Sequence, residues 1–182
     1  GSAVRQRSAD TLGVGGEAVS VFRTARLELR PFDVSDAGDI VALLNDPDVC
    51  RGLAVVPYPY ALSDAHEFIA RRTEEAFAVC RKDGTFLGTV GLGAQLGYWF
   101  GKTQWGKGYA TEAATAVLAD HFAHSDAPVL SGYAAWNSGS ANVLAKLGFK
   151  ITGEKMLHIR SLDKEVPAKS VTLTKADWEA RA

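Results

Sequence analysis

Between residues 95 and 136 the chain runs from a strand-like segment, QLGYWF (95–100), through TQWGKGYATEA (103–113), and out into a second strand-like segment, VLSGYAAW (129–136). Between them Ala110, Ala113, Ala114, Val117, Leu118 and Phe122 recur at helical spacing, the strongest helix signal in the chain. Strand, helix, strand implies a crossover, and a crossover needs a sheet with a helix laid on its face. No other feature constrains the fold as much. At the start of the helix Gly106 and Gly108 flank Lys107. Glycine in or beside a helix costs about 1 kcal/mol relative to alanine, so its placement here implies that something comes close to the backbone. A helix N-terminus offers unpaired N–H groups and the positive end of the dipole, which together favour phosphate. Missing Cβ atoms at the two glycines clear the approach of a pyrophosphate.

The flanking patterns fill in the sheet. FRTARLELRPF (22–32) alternates, with Leu27 and Leu29 on one face, and predicts a half-buried strand ended by Pro31. Val34, Ala37, Ile40, Val41 and Leu44 predict a helix stopped at Asn45-Asp46-Pro47. Pro57 and Pro59 mark an irregular, tyrosine-bearing loop over 51–62. A second helix is expected from Ser63 or Asp64, with Asp64 and Glu67 at capping-box spacing and Phe68, Ile69 and Ala76 on its buried side. AFAVCR (76–81) and TFLGTVGLG (85–93) read as a hairpin turned at Asp83-Gly84. After the crossover, Asn137 or Ser138 caps a short helix that Gly148 closes. FKITG, EKMLHIRS and AKSVTLT read as closing strands, and KADWEA as a last turn. The expectation is an α/β fold: a mixed, mostly antiparallel central sheet flanked by helices.

Composition narrows the class. A length of 182 residues suits one domain, expected over 21–182. Residues 1–20 hold four glycines and little periodicity, so they read as a flexible arm, and Gly1-Ser2 as a cloning scar. The formal net charge is -1 and no basic stripe appears, which argues against a nucleic-acid partner. The apolar runs are too short to span a bilayer, so no membrane association is expected. Cys50 and Cys80 have neither disulfide-framework nor metal-ligand spacing, which favours a reducing cytoplasm and no metal.

Two phosphate-binding patterns fail. Gly101 to Lys107 spells G-x-x-x-x-G-K, but Gly108 stands where a P-loop needs Ser or Thr for its magnesium. A dinucleotide fingerprint would need glycine at Thr111. Instead GYWFGKTQWGKGYATEA resembles the acetyl-CoA-binding segment of the GNAT acyltransferases, whose Q/R-x-x-G-x-G/A loop maps onto Trp105-Gly106-Lys107-Gly108-Tyr109-Ala110, with Trp105 replacing Gln or Arg. TARLELRPF and WNSGSANVLAKLGF (136–149) resemble the first strand and the N-x-x-S-x-x-V-L-x-K-L-G-F segment of the Rim-type ribosomal-protein N-terminal acetyltransferases.

The resemblance implies a GNAT-like domain in which a splayed strand pair holds acyl-CoA. Its co-substrate is acetyl-CoA, with no metal, and the pyrophosphate is wrapped by Gly106, Lys107, Gly108, Tyr109, Ala110 and Thr111. Lys107 is either a further phosphate ligand or a solvated lysine. The pantetheine arm would lie along Trp99, Phe100 and Gly101, with Asn137 either bonding it or only capping its helix. The implied reaction is attack of an amine on the thioester. The usual tyrosine acid is replaced by Leu144, so Ser140 is the candidate for stabilising the thiolate, against a plain first-turn role. Gln95 and Thr152 stand where relatives carry carboxylates, which leaves His158, His66 and Glu112; His158, on a late strand, is the candidate base, or a water chain serves in its place. Glu112 is expected to complement its helix dipole. Tyr58, Tyr60 and Arg51 are expected on the acceptor side. The acceptor is a peptide or protein N-terminal α-amine or a small-molecule amine, and a non-catalytic acyl-CoA-binding module is a third reading. A monomer and a homodimer are both compatible with the sequence.

Overall fold

The computed structural model describes residues 4–8, 19–71 and 75–181. Six strands, β1 (Val4–Ser8), β2 (Val19–Arg23), β3 (Leu27–Arg30), β4 (Ala76–Arg81), β5 (Phe86–Leu92) and β6 (Leu96–Phe100), pair in that order into one antiparallel sheet. Three more, β7 (Val129–Ala134), β8 (Lys150–Ile159) and β9 (Lys164–Leu173), form a second antiparallel sheet in the order β7-β9-β8.

Helices cover both faces. On one side α4 (Tyr109–His124) and α5 (Ser138–Lys146) pack Ala113, Ala114, Val117, Leu118, Phe122 and Leu144 onto Leu27, Leu29, Leu87, Val90, Leu96 and Phe100. On the other, α1 (Ala37–Leu44), α2 (Pro47–Cys50) and α3 (Leu62–Ala70) contribute Ile40, Leu44, Val49, Ala65 and Ile69 to a second cluster with Ala78, Cys80 and Phe86. The strand alternation of β6 explains the division. Leu96, Tyr98 and Phe100 face α4, while Trp99 faces the α1 side. A last helix, α6 (Lys175–Ala180), seats Trp178 against Phe122 at 5.8 Å.

Several expectations change. Residues 4–8, assigned to a flexible arm, form β1 and pair with β2, while 9–18 of that arm lie outside the described residues. Pro47 opens the short α2 instead of only ending α1, because proline at the first helical position needs no N–H partner. The helix α3 begins at Leu62 and its cap is Ala61, three residues before Asp64: Asp64 accepts a bond from the Ala61 N–H at 2.8 Å and makes no box with Glu67. Phe68 lies at the rim, edge-on to Phe32 at 5.1 Å, and Ala76 belongs to β4. FKITG and EKMLHIRS are one strand, β8, which bulges between Ile151 and Gly153.

Candidate functional site

No ladder joins β6 to β7; the sheet divides there. Ser131, buried in β7, donates its hydroxyl proton to the Leu96 carbonyl at 2.9 Å and ties the two half-sheets together at that point. Past it, β6 has a free side. The Gly101 N–H bonds the Leu87 carbonyl at 3.0 Å. By antiparallel alternation the peptide groups of Gly97 and Trp99 therefore also face β5, whereas those of Tyr98 and Phe100 face the opening. The Phe100 carbonyl is already taken, by the Trp105 indole N–H at 2.9 Å. Of the three residues expected along a pantetheine arm, Phe100 alone directs an N–H into the gap. A Cβ at Gly101 would lie 2.7 Å from the end of the Leu43 side chain, which would have to shift to admit it.

The opening leads to the start of α4. Gly106 and Gly108 have φ of +73° and +80°, backbone that side chains rarely adopt. A Cβ at Gly106 would meet nothing within 4 Å, so the space over the loop is clear. The first intrahelical bond runs from Glu112 N–H to the Gly108 carbonyl, and no side chain caps the helix. The N–H groups of Tyr109, Ala110 and Thr111 thus point out of a 16-residue helix without intrahelical acceptors. Lys107 approaches Gln104 at 3.4 Å.

A clamp from the other end of the chain fixes this loop. Arg26 donates from Nε to Glu112 at 2.7 Å and from Nη1 to the Lys107 carbonyl at 2.9 Å, and it stacks 4.5 Å over the Tyr109 ring. Glu112 also accepts from the Arg26 N–H and the Thr24 hydroxyl. Burial raises its pKa, but these hydrogen bonds outweigh burial and hold the carboxyl below its usual range. It is a strut as well as a dipole partner, and no base. Periodicity gave no sign of the clamp, because its two halves are 86 residues apart.

Around α5, Asn137 acts as the cap: its Oδ1 accepts from Ser140 N–H at 3.1 Å. Its Nδ2 lies toward Gly52 on the 51–62 loop. The Ser140 hydroxyl is 3.1 Å from the hydroxyl of Tyr98, which reaches across the gap from β6. Sequence reasoning passed over Tyr98, although its place in Leu96-x-Tyr98-x-Phe100 already turned it toward the following helices.

His158 is not brought to Ser140 by any contact; its partners lie in its own hairpin. Glu165 is 3.3 Å from Nδ1 and Asp163 is 3.5 Å from Nε2. The hairpin end is docked on the 51–62 loop by the bond from Arg160 N–H to the Ala54 carbonyl. On that loop's side Arg51 bonds Asp48 at 3.1 Å and stacks 5.0 Å over Trp136, while Lys102 bonds Asp48 at 2.6 Å. Tyr58 is exposed there and Tyr60 is buried. Hydrogen bonding and the charge of Lys102 hold Asp48 below the usual carboxylate range.

A cleft of about 630 Å³ adjoins the first turn of α4, lined by Thr111, Lys146, Gly148, Lys150, Asp177 and Arg181. Among the described residues no cluster of His, Cys, Asp and Glu suits a metal ion, and no helix is long and apolar enough to cross a membrane.

A sheet parted between two strands, with an uncapped helix start at the parting, defines a recognisable class of α/β fold. Residues 26–150 match the acetyltransferase (GNAT) domain, and the chain belongs to that family. Family members use acetyl-CoA. The chain is 33% identical over 116 residues to the uncharacterized protein YkkB of Bacillus subtilis, an alignment covering 52% of this chain and 64% of that protein. In structure it resembles a GNAT-family acetyltransferase from Bacillus anthracis, with a TM-score of 0.76 at 19% identity, covering 86% of this chain and 99% of the other. It also resembles the ribosomal-protein-S5-alanine acetyltransferase of Vibrio fischeri, with a TM-score of 0.71 at 21% identity, covering 87% and 98%. The GNAT fold expected from the sequence is the fold observed.

Proposed function

We propose that this chain transfers the acetyl group of acetyl-CoA to the α-amine of a peptide or protein N-terminus. The observation that carries it is the uncapped start of α4, entered through two left-handed glycines and opening onto the parted strands. Three outward N–H groups and the helix dipole suit a pyrophosphate. The cleft bearing Lys146, Lys150 and Arg181 lies beside them and suits the outer phosphate of CoA. The Phe100 N–H, turned away from β5 into the parting, is the candidate oxyanion donor.

In the reaction the amine lone pair forms the N–C bond, the C–S bond breaks with its electrons on sulfur, and the amine loses its proton. Ser140 hydrogen-bonds the departing thiolate. His158 remains the candidate base, with Glu165 placed to orient its ring. The acceptor would enter past the 51–62 loop, Arg51 and Trp136. Its class is favoured by protonation chemistry and by the likeness to a ribosomal-protein-alanine acetyltransferase. An assay of CoA release over a panel of peptides and small amines tests the proposal. Release with free-N-terminal peptides is expected; release only with small amines would overturn the acceptor. CoA binding without release from any amine would make the chain an acyl-CoA-binding module.

A further inference from the structure

Tyr98 and Ser140 come from different elements, 42 residues apart in sequence, yet their hydroxyls meet at 3.1 Å across the parting of the sheet. The Tyr98 ring packs on the main core beneath α4, which fixes the oxygen's position. Ser140 is fixed twice. Its backbone N–H is held by Asn137 Oδ1, and its hydroxyl is met by Tyr98. A hydroxyl has one proton to give and two lone pairs to accept with. If Tyr98 donates to Ser140, the Ser140 proton is left for a third group. That group's place is the gap between β6 and β7.

We infer that Tyr98 is a positioning residue for acyl transfer: its hydroxyl donates to Ser140 Oγ and so directs the Ser140 proton at the sulfur of CoA. This rests on the proposed role of Ser140. The pair stabilises the thiolate without protonating it. Burial pushes the Tyr98 hydroxyl up to about 12, with the bond to Ser140 acting in the opposite sense. An ordinary thiol titrates near 8.5. The proton therefore stays on oxygen, sulfur leaves with the C–S electron pair, and CoA takes its proton later from solvent.

The test uses CoA itself, so it needs no known acceptor. Thiolate absorbance of bound CoA is titrated below pH 9, where Tyr98 stays neutral, in the unmodified protein, Tyr98→Phe, Ser140→Ala and the double variant. Each single variant is expected to raise the apparent thiol pKa, lowering the thiolate fraction about fivefold, the worth of one hydrogen bond. The double variant should match Ser140→Ala, because Tyr98 acts through Ser140. With an active peptide, Tyr98→Phe should lower kcat in proportion and leave KM for acetyl-CoA within about twofold. An effect of Ser140→Ala without one of Tyr98→Phe overturns the role of Tyr98 and leaves Ser140 standing. No effect of Ser140→Ala overturns the Ser140 reading itself. A further loss from Tyr98→Phe in the Ser140→Ala background would mean that Tyr98 acts on the fold, not on Ser140.

Discussion

Ionisable side chains near the parting of the sheet are mostly committed. Glu112 is held by Arg26 and Thr24, and Asp48 by Lys102 and Arg51. A carboxylate kept below its usual range is a weak proton acceptor at neutral pH. That leaves His158 as the candidate base, with Glu165 and Asp163 as its partners. If His158 takes the amine proton, His158→Gln should lower kcat at pH 7 by at least about tenfold, the low end of general-base contributions being larger still. CoA affinity should be unchanged. A kcat that survives the substitution would assign His158 to bracing its hairpin through Glu165 and Asp163. The clamp on Glu112 carries a separate expectation about stability. Its folded pKa is lowered, so the stabilisation is present above the unfolded carboxylate value and is lost as pH falls through the folded one. Glu112→Gln should cost about 1–3 kcal/mol at pH 7, for charge-assisted bonds to Arg26 and Thr24. The gap from the unmodified protein should narrow at an acid pH below the usual carboxylate range. Urea unfolding at both pH values checks it; an equal gap at both would place the loss in packing.

At the scale of elements, the loop before α4 and the helix after it act as one unit. Gly106 is the better position to probe, because a Cβ there meets nothing while a Cβ at Gly108 would approach Arg26 at 3.4 Å. Asparagine tolerates left-handed backbone better than other side chains. Gly106→Asn is therefore expected to keep the thermal midpoint within a few degrees but to weaken CoA binding at least about tenfold, by filling the approach to the helix start. Calorimetry with CoA decides it, and unchanged affinity would remove the loop from the binding site. The same elements show what the sequence could and could not disclose. Local chemistry was readable: the Asp83-Gly84 turn, the alanine-rich face of α4, the Asn137 cap and the Gly148 stop all act within a few residues. The loop glycines were readable for the same reason, since φ above zero selects glycine directly. Contacts between distant segments were not. Arg26 on Glu112, Tyr98 on Ser140 and Leu43 beside Gly101 leave no periodic trace, and β1, Val-Arg-Gln-Arg-Ser, holds a single apolar residue and so shows no alternation.

At the scale of the whole molecule, two half-sheets tied by Ser131 leave an opening beside a phosphate-suited helix start, and the 51–62 loop is the proposed acceptor side. What enters from that loop is set by which amine can lose its proton there. A model α-amino group has a pKa of about 7.7–8.0, and lysine about 10.4. At pH 7 the neutral fraction of the α-amine is therefore roughly a hundredfold or more larger. Asp48 and Glu112 are spent on cations, and a histidine or a water chain is a poor match for a lysine ammonium. The site should thus take the amine that already sheds its proton. A peptide with a free N-terminus is expected to be acetylated at least about tenfold faster at pH 7 than its N-blocked, lysine-containing twin, following that difference in neutral fraction. The rate with the free peptide should rise with pH and level off above about 9, about one unit past the α-amine pKa, as the α-amine finishes losing its proton. The rate with the blocked twin should still be climbing there. Acetyl transfer followed by CoA release, with the modified nitrogen located by mass spectrometry, measures both. Faster reaction of the blocked twin would reverse the acceptor, and it would require a base stronger than a histidine at the opening between β6 and β7.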